Sequence, residues 1–304
     1  MTISDISLRK PESGKMDLKP LFDVLLSDYA DGFRFEPTSL RLLMAKSGIE
    51  LGEEGQVLLK QMMFGRDDGV FFLLDVVADE ASRNNMVEFG NAFLDEYGCF
   101  ETSELYALYA DNLNSRCIRN VYDFEKFYEH ELVSGGGVTC VAAPYIGNRV
   151  ARRRSGNVWE RFEVIAAQII AVTNDEFGGV VSEEDLHTRF CAFSTDLIAK
   201  IIKHRAETDI LRVEMNGIVC YQTLEALGLP DDFSDTLSNI LQRFEDLKLH
   251  PNEEALHTAL SLALGVNFKT EFNIPDQATY RRLIEIYYKA NPPRRWRGGV
   301  FGAV

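Results

Sequence analysis

Two groups of basic residues are the part of this sequence whose type and spacing best suit phosphate binding. Arginine presents a planar fork of donors that matches phosphate geometry. The first group is Arg149, Arg152, Arg153 and Arg154, and the second is Lys289, Arg294, Arg295 and Arg297. On a chain with a formal net charge of −15, such groups indicate contact with phosphate or an acidic partner. The alternatives are a charged linker that ends at Gly156 and a frayed C-terminal arm.

A third basic group ends the segment TDLIAKIIKHR (195–205), which has apolar residues at helical spacing. Its members are Lys200, Lys203, His204 and Arg205. If this helix enters the major groove of DNA, these side chains can contact phosphates or base edges. Basic residues also favour the last turn of any helix, because they interact with the helix dipole. Both interpretations stay open.

Catalytic chemistry has little support in the sequence. There is no HExxH, GxSxG, Walker loop or GxGxxG motif in a fitting context. Glu183 and His187 are four residues apart, as are Glu253 and His257, so each pair shares a helix face. A metal site would need further ligands from elsewhere in the chain. We therefore predict a non-enzymatic protein without a metal or cofactor.

The elements that must position these residues follow from a repeated phrase. DEYG at 95–98 returns as DEFG at 175–178, and DGFRFEPTSL at 31–40 is a looser echo. A repeat at this interval indicates that one supersecondary unit has been copied. We interpret the phrase as structural: it ends a helix, makes a glycine turn and starts the next helix.

Each copy is predicted to contain three helices followed by a β-hairpin. In copy three, Ser182 and Ser194 are predicted helix N-caps, and Asn216-Gly217 predicts a two-residue hairpin turn. The fold class is therefore mainly α with small β-hairpins (α+β). The predicted domains are a mobile leader (1–15), copy one (16–80), copy two (81–150), copy three (155–228) and a helical C-terminal domain with a basic tail (229–304).

Three helices followed by a hairpin resemble the winged-helix superfamily, here in tandem over about residues 16–228. Tandem winged helices are similar to those of bacterial transcription regulators and of accessory subunits of chromosome-condensing complexes. The resemblance implies that the third helix of a copy is the one that reads DNA. The third helix of copy two carries Asp123, Glu125, Glu129 and Glu131, which phosphates would repel, whereas that of copy three is basic.

Two functions remain for such a protein. The first is a DNA-associated regulatory or assembly factor, in which copy three and the basic groups contact phosphates. The alternative is an adaptor that binds proteins or itself and never contacts DNA. Its support is the aromatic run of copy two, mostly core, whose exposed members could form a protein-binding groove.

Compartment and partners follow from composition. The longest apolar runs fall short of the roughly 20 residues that span a bilayer, so no membrane partner is expected. Five cysteines without CxxC spacing fit thiols of a reducing cytoplasm.

Overall fold

The computed structural model describes residues 18–133, 137–249, 251–265, 267 and 277–290. The predicted α+β class is confirmed: helices alternate with small antiparallel sheets of two and three strands. The chain divides into two compact units, Met1–Ala143 with Gly147–Gly156 as unit 1, and Pro144–Ile146 with Asn157–Val304 as unit 2. The predicted leader (1–15) and the arginines Arg294, Arg295 and Arg297 lie outside the described residues.

Unit 1 holds the elements of copies one and two. Its helices are α1 (Lys19–Asp28), α2 (Pro37–Ser47), α3 (Glu53–Gln61), α4 (Leu74–Val77), α5 (Glu80–Glu96), α6 (Thr102–Tyr109) and α7 (Val121–Lys126), continued by a π-helix (Phe127–Leu132). Its strands are β1 (Met63–Gly65), β2 (Phe71–Leu73), β3 (Cys99–Glu101), β4 (Val138–Ala142) and β5 (Arg149–Arg153).

Unit 2 holds copy three and the helices that follow it. Its helices are α8 (Val158–Asp175), α9 (Glu183–Arg189), α10 (Thr195–Arg205), α11 (Phe233–Asp246), α12 (Glu253–Leu264) and α13 (Gln277–Ala290). Its strands are β6 (Val180–Ser182), β7 (Ile210–Met215) and β8 (Ile218–Thr223).

The three copies share one connectivity: a helix, a short strand, two helices and a hairpin. In copies two and three the short strand pairs with the last strand, giving the orders β3-β5-β4 and β6-β8-β7. In copy one the short strand is reduced to a single antiparallel bridge between Phe33 and Phe71, beside the β1–β2 pair. The same strand therefore lies in the middle of each small sheet.

Local sequence signals explain most of these boundaries. The Ser182 hydroxyl accepts from the Asp185 amide at 3.0 Å and that of Ser194 from the Leu197 amide at 3.2 Å, so both predicted caps are confirmed. Asn216 and Gly217 have φ of 55° and 80° and join β7 to β8, as a two-residue hairpin turn requires. The repeated phrase is a helix end, since Gly98 and Gly178 follow α5 and α8 with φ of 77° and 64°.

Copy one has the predicted hairpin, but only the first part of the run VFFLLDVVAD (70–79) belongs to it. Strand β2 ends at Leu73, and Leu74–Val77 forms the helix α4. Apart from Asp75 and the final Asp79, the run is apolar, so its periodicity does not distinguish a strand from a buried helix. The buried Leu73 and Val77 lie four residues apart, which is helical spacing.

The helices after copy three share a core with its hairpin. Buried side chains of both segments form one cluster, which contains Leu211, Val213, Phe233, Leu237, Leu256, Leu260, Leu283 and Ile284. Burial of aliphatic side chains of this size contributes about 1.5–3 kcal/mol each. In unit 2, copy three therefore buries one face of its sheet with α11, α12 and α13.

Candidate interaction surfaces

Arg149 stabilises the inside of unit 1. Its Nε donates to Glu125 Oε2 at 2.6 Å, and the Thr102 hydroxyl donates to Glu125 Oε1 at 2.6 Å. Only 3% of the Glu125 side chain is exposed, so this carboxylate depends on both partners. Arg149 therefore neutralises a buried carboxylate of copy two.

The acidic third helix of copy two is also directed inward. Asp123 is buried and accepts from Arg119 Nε at 3.0 Å. Glu129 accepts from the Thr139 hydroxyl at 3.1 Å and the Cys140 amide at 3.2 Å, which fastens the helix to β4. These acids bind their own chain, so the acidic composition of this helix does not describe its outer face.

The other arginines of the first basic group differ in their surroundings. Arg152 Nη1 donates to the carbonyl oxygens of Arg153, Arg154 and Gly156 at 2.7–3.0 Å, which holds the chain after β5. Arg153 pairs with Asp95, the first residue of the repeated phrase. Arg154 is exposed, and it makes no ion pair with any residue that the structure describes. The cluster therefore offers one uncommitted guanidinium.

The basic end of α10 surrounds a tryptophan. The Arg205 guanidinium lies 3.8 Å from the centre of the Trp159 ring, and its Nη1 pairs with Glu163 at 3.0 Å. The rings of His204 and Trp159 are 6.2 Å apart. Cation–π contact of this kind contributes about 0.5–2 kcal/mol. Arg205 therefore holds α10 against α8.

Only part of that basic group remains available to a partner. Lys200 pairs with Asp196 at 2.7 Å and also donates to the Ile146 carbonyl. Lys203 and His204 are exposed. Tyr145, which sequence reasoning missed, is 89% exposed and lies edge-on to Trp159 at 5.6 Å. The available signal was the Pro144-to-Gly147 turn, which joins two strands and carries one aromatic residue.

A second surface, also missed, is an apolar groove between α11 and α12. It has a volume of about 450 Å³ and is lined by Ile240, Arg243, Phe244 and Ala259. Two nearby leucines are mostly exposed, Leu247 at 68% and Leu262 at 78%. Exposed leucines that cluster around an apolar groove mark protein-binding sites more often than isolated ones do.

The aromatic run of copy two is core, as the sequence indicates. Six of its members are buried: Tyr97, Phe100, Tyr109, Phe124, Phe127 and Tyr128. Tyr122 is exposed, and the Lys126 ammonium lies 5.6 Å from its ring centre. Of the members of this run, Tyr122 is therefore the exposed one and Tyr106 is half-buried.

The glutamates of the two histidine–glutamate pairs contact side chains other than their histidines. Within the described ranges no three His, Cys, Asp or Glu side chains converge as metal ligands. Glu183 instead accepts from the Tyr221 hydroxyl at 3.2 Å, and Glu253 pairs with Arg281. In the same part of the chain, no helix combines the length and apolar character that crossing a membrane requires.

Comparison with protein-family models and curated proteins identifies no relative of this chain. The chain matches no protein-family model, and a search of curated proteins returns no significant match. Function must therefore be argued from the contacts and surfaces described above.

Proposed function

We propose that this chain is a non-catalytic protein of three tandem winged helices that binds another protein through the groove between α11 and α12. The repeated connectivity supports the winged-helix interpretation, because each copy has three helices, a short strand and a hairpin in the same order. The observation that carries the proposed function is the exposure of Leu247 and Leu262 around an apolar groove. Two largely exposed leucines beside one apolar groove favour a partner that covers them.

The occupant that suits this groove is an amphipathic helix of the partner. The groove lies between two helices in contact, and a third helix packs into such a channel through apolar residues spaced three and four apart. Arg243 is among the residues that line the groove, so an acidic residue next to the apolar stripe completes the match.

The contacts of the predicted basic residues favour this proposal over DNA binding. Salt-dependent binding to duplex DNA grows with the number of phosphates that a protein neutralises. Of the candidate residues in the described ranges, Arg149, Arg153, Lys200 and Arg205 pair with carboxylates of the same chain. Of the others, Arg152 donates to backbone carbonyl oxygens, and Arg154, Lys203 and His204 are exposed.

A photocrosslinker tests the groove directly. With p-benzoylphenylalanine at Leu262, we expect one discrete crosslinked partner in cells, which is lost when Leu247→Glu is added. The control position is Leu42, an exposed leucine of α2, where that adduct should be missing. The same adduct from both positions, or none from position 262, would overturn the proposal. An adduct with the mass of two copies of this chain would assign the groove to self-association.

DNA association is the second candidate, and the exposed pair Lys203 and His204 beside Trp159 favours it. With Lys203 and Arg154 as the cations, about two phosphate contacts predict that a fourfold rise in salt weakens binding to duplex DNA roughly 12-fold. Fluorescence anisotropy of a labelled 24-base-pair duplex at 50 and 200 mM salt measures this. Lys203→Glu with His204→Glu should abolish binding, and Lys46→Glu in α2 is the control. A duplex that does not bind at 50 mM salt rules this candidate out.

We place the protein in the cytoplasm. The five cysteines all fall within the described residues and remain thiols. Burial raises the pKa of the Cys117 thiol to about 12, so this side chain stays protonated and unreactive at neutral pH. A reducing compartment supports thiols of this kind.

A further inference from the structure

A cleft in unit 1 runs along the π-helix that continues α7. Two cavities of about 360 and 350 Å³ adjoin there, because Gln61, His130 and Glu131 line both of them. Each has the volume of a small-molecule site. Phe64 of β1 packs edge-on against Phe127 at 5.5 Å, which fixes one wall to the start of the π-helix.

The π-helical turn directs three consecutive polar residues, 129–131, to two different places. Glu129 accepts hydrogen bonds from Thr139 and Cys140 of β4, as described above. His130 and Glu131 line the cleft instead. A π-helix is rare, and where one occurs it is often at a functional site. Here the wider turn brings an acid and an imidazole to the same opening.

Glu131 has no cation or hydrogen-bond donor of its own among the described residues. Burial alone raises the pKa of its carboxyl to about 7, and no neighbouring charge contributes to that shift. The charged groups that share the cleft are otherwise engaged or distant. Arg83 pairs with Asp75 at 2.7 Å, and the Lys60 ammonium lies 5.1 Å from the centre of the Phe71 ring.

In the described part of the chain, the other ionisable residues that line the cleft are Lys126, His130 and Glu80. Lys126 pairs with Asp67. Glu80 is exposed and adds a second negative charge on the side of the cavity next to α5. Apolar side chains, among them Val87 and Leu132, cover the wall beside Glu131. A partly buried carboxyl beside an apolar wall suits a cationic group on an apolar stem.

We propose that this cleft binds an alkylammonium or alkylguanidinium group, whose charge pairs with the Glu131 carboxylate while its stem packs against Val87 and Leu132. The group can belong to a free amine or to a lysine or arginine side chain of a partner. The site lies in unit 1, so it is independent of the groove between α11 and α12.

Binding and ionisation are coupled in this site. Only the ionised carboxylate pairs with the cation, so binding lowers the pKa of Glu131 and releases a proton near neutral pH. Affinity therefore rises with pH up to about 7 and is constant above it. Below that value it falls about tenfold per pH unit.

The test uses agmatine and the peptide acetyl-Ala-Leu-Arg-Leu-Ala-amide as probes, with the citrulline peptide as the neutral isostere. We expect both cationic probes to bind the full chain in titration calorimetry at pH 8 and the citrulline peptide not to bind. In carbon-13 NMR of the glutamate carboxyls, a bound probe should lower the pKa of Glu131 by about one unit or more. One unit corresponds to a tenfold difference in affinity between the ionised and protonated forms. Binding of the peptide alone would assign the cation to a partner protein.

Two variants keep the inference open to refutation. Glu131→Gln should weaken both probes about tenfold or more, while Glu50→Gln, at an exposed glutamate of the same unit, should bind them as the wild type does. Far-UV circular dichroism establishes that Glu131→Gln is folded. Failure of both probes to bind at millimolar concentration, or equal binding by Glu131→Gln, would overturn the assignment.

Discussion

Replacing Arg149 by alanine is expected to destabilise unit 1 by about 2–3 kcal/mol. The change removes the cation from Glu125, whose side chain is 3% exposed, and leaves the Thr102 hydroxyl as its one remaining side-chain partner. Removing one partner of a fully buried pair costs more, about 3–5 kcal/mol. The lower figure applies here because 41% of the Arg149 side chain is in water, where solvent screens the pair. Urea unfolding followed by far-UV circular dichroism measures the change.

Arg154→Ala is the matched control, since it removes an exposed arginine of the same cluster and should stay within about 0.5 kcal/mol of the wild type. Hydrogen exchange of the α7 amides localises the effect, which should appear there and at β5. If Arg149→Ala unfolds at the wild-type urea concentration, the contact with Glu125 is not structural, and Arg149 returns to the set of candidate phosphate contacts. The result therefore bears on function as well as on stability.

The parts of the fold that the sequence predicts are those with local signals. Ser182 and Ser194 precede helices and bond to amides three residues on, and Asn216-Gly217 needs no distant partner to form its turn. The α4 helix could not be predicted from periodicity, because Asp75 is the one charged residue in an otherwise apolar run, 70–78, around Leu74–Val77. Packing against the core determines whether such a segment is a strand or a helix, and the neighbouring residues in the sequence do not reveal that packing.

The candidate sites depend on pairs that are far apart in sequence. Glu125 and Arg149 are separated by 24 residues. The sequence therefore shows an acidic helix and a basic strand, and it does not show that these two residues form an ion pair. Trp159 and Arg205 meet because α8 packs on α10. Charge counts along a chain therefore overestimate the surface charge wherever opposite charges meet across a sheet or between helices.

Replacing Glu131 by glutamine is expected to stabilise unit 1 at alkaline pH. The pKa of this carboxyl is about 7 in the folded chain against an ordinary value of 4.5. Below about pH 4.5 the side chain is protonated in both the folded and unfolded states, so its burial does not lower the free energy of unfolding through ionisation. As the pH rises from about 4.5 to about 7, the unfolded state ionises while the folded carboxyl stays protonated, so stability is lost over this window and is constant above it. The full difference corresponds to about 3 kcal/mol as an upper bound.

Glutamine keeps the shape of the protonated acid and does not ionise. Glu131→Gln should therefore match the wild type in urea unfolding at pH 4.5 and exceed it by about 2–3 kcal/mol at pH 8. Glu50→Gln should show no such pH-dependent difference, because Glu50 is exposed. Equal stability of Glu131→Gln and wild type at pH 8 would mean that the carboxylate already has a partner when ionised. A saturating cationic probe should reduce the difference at pH 8, since it supplies to the wild type the charge that the folded chain does not provide.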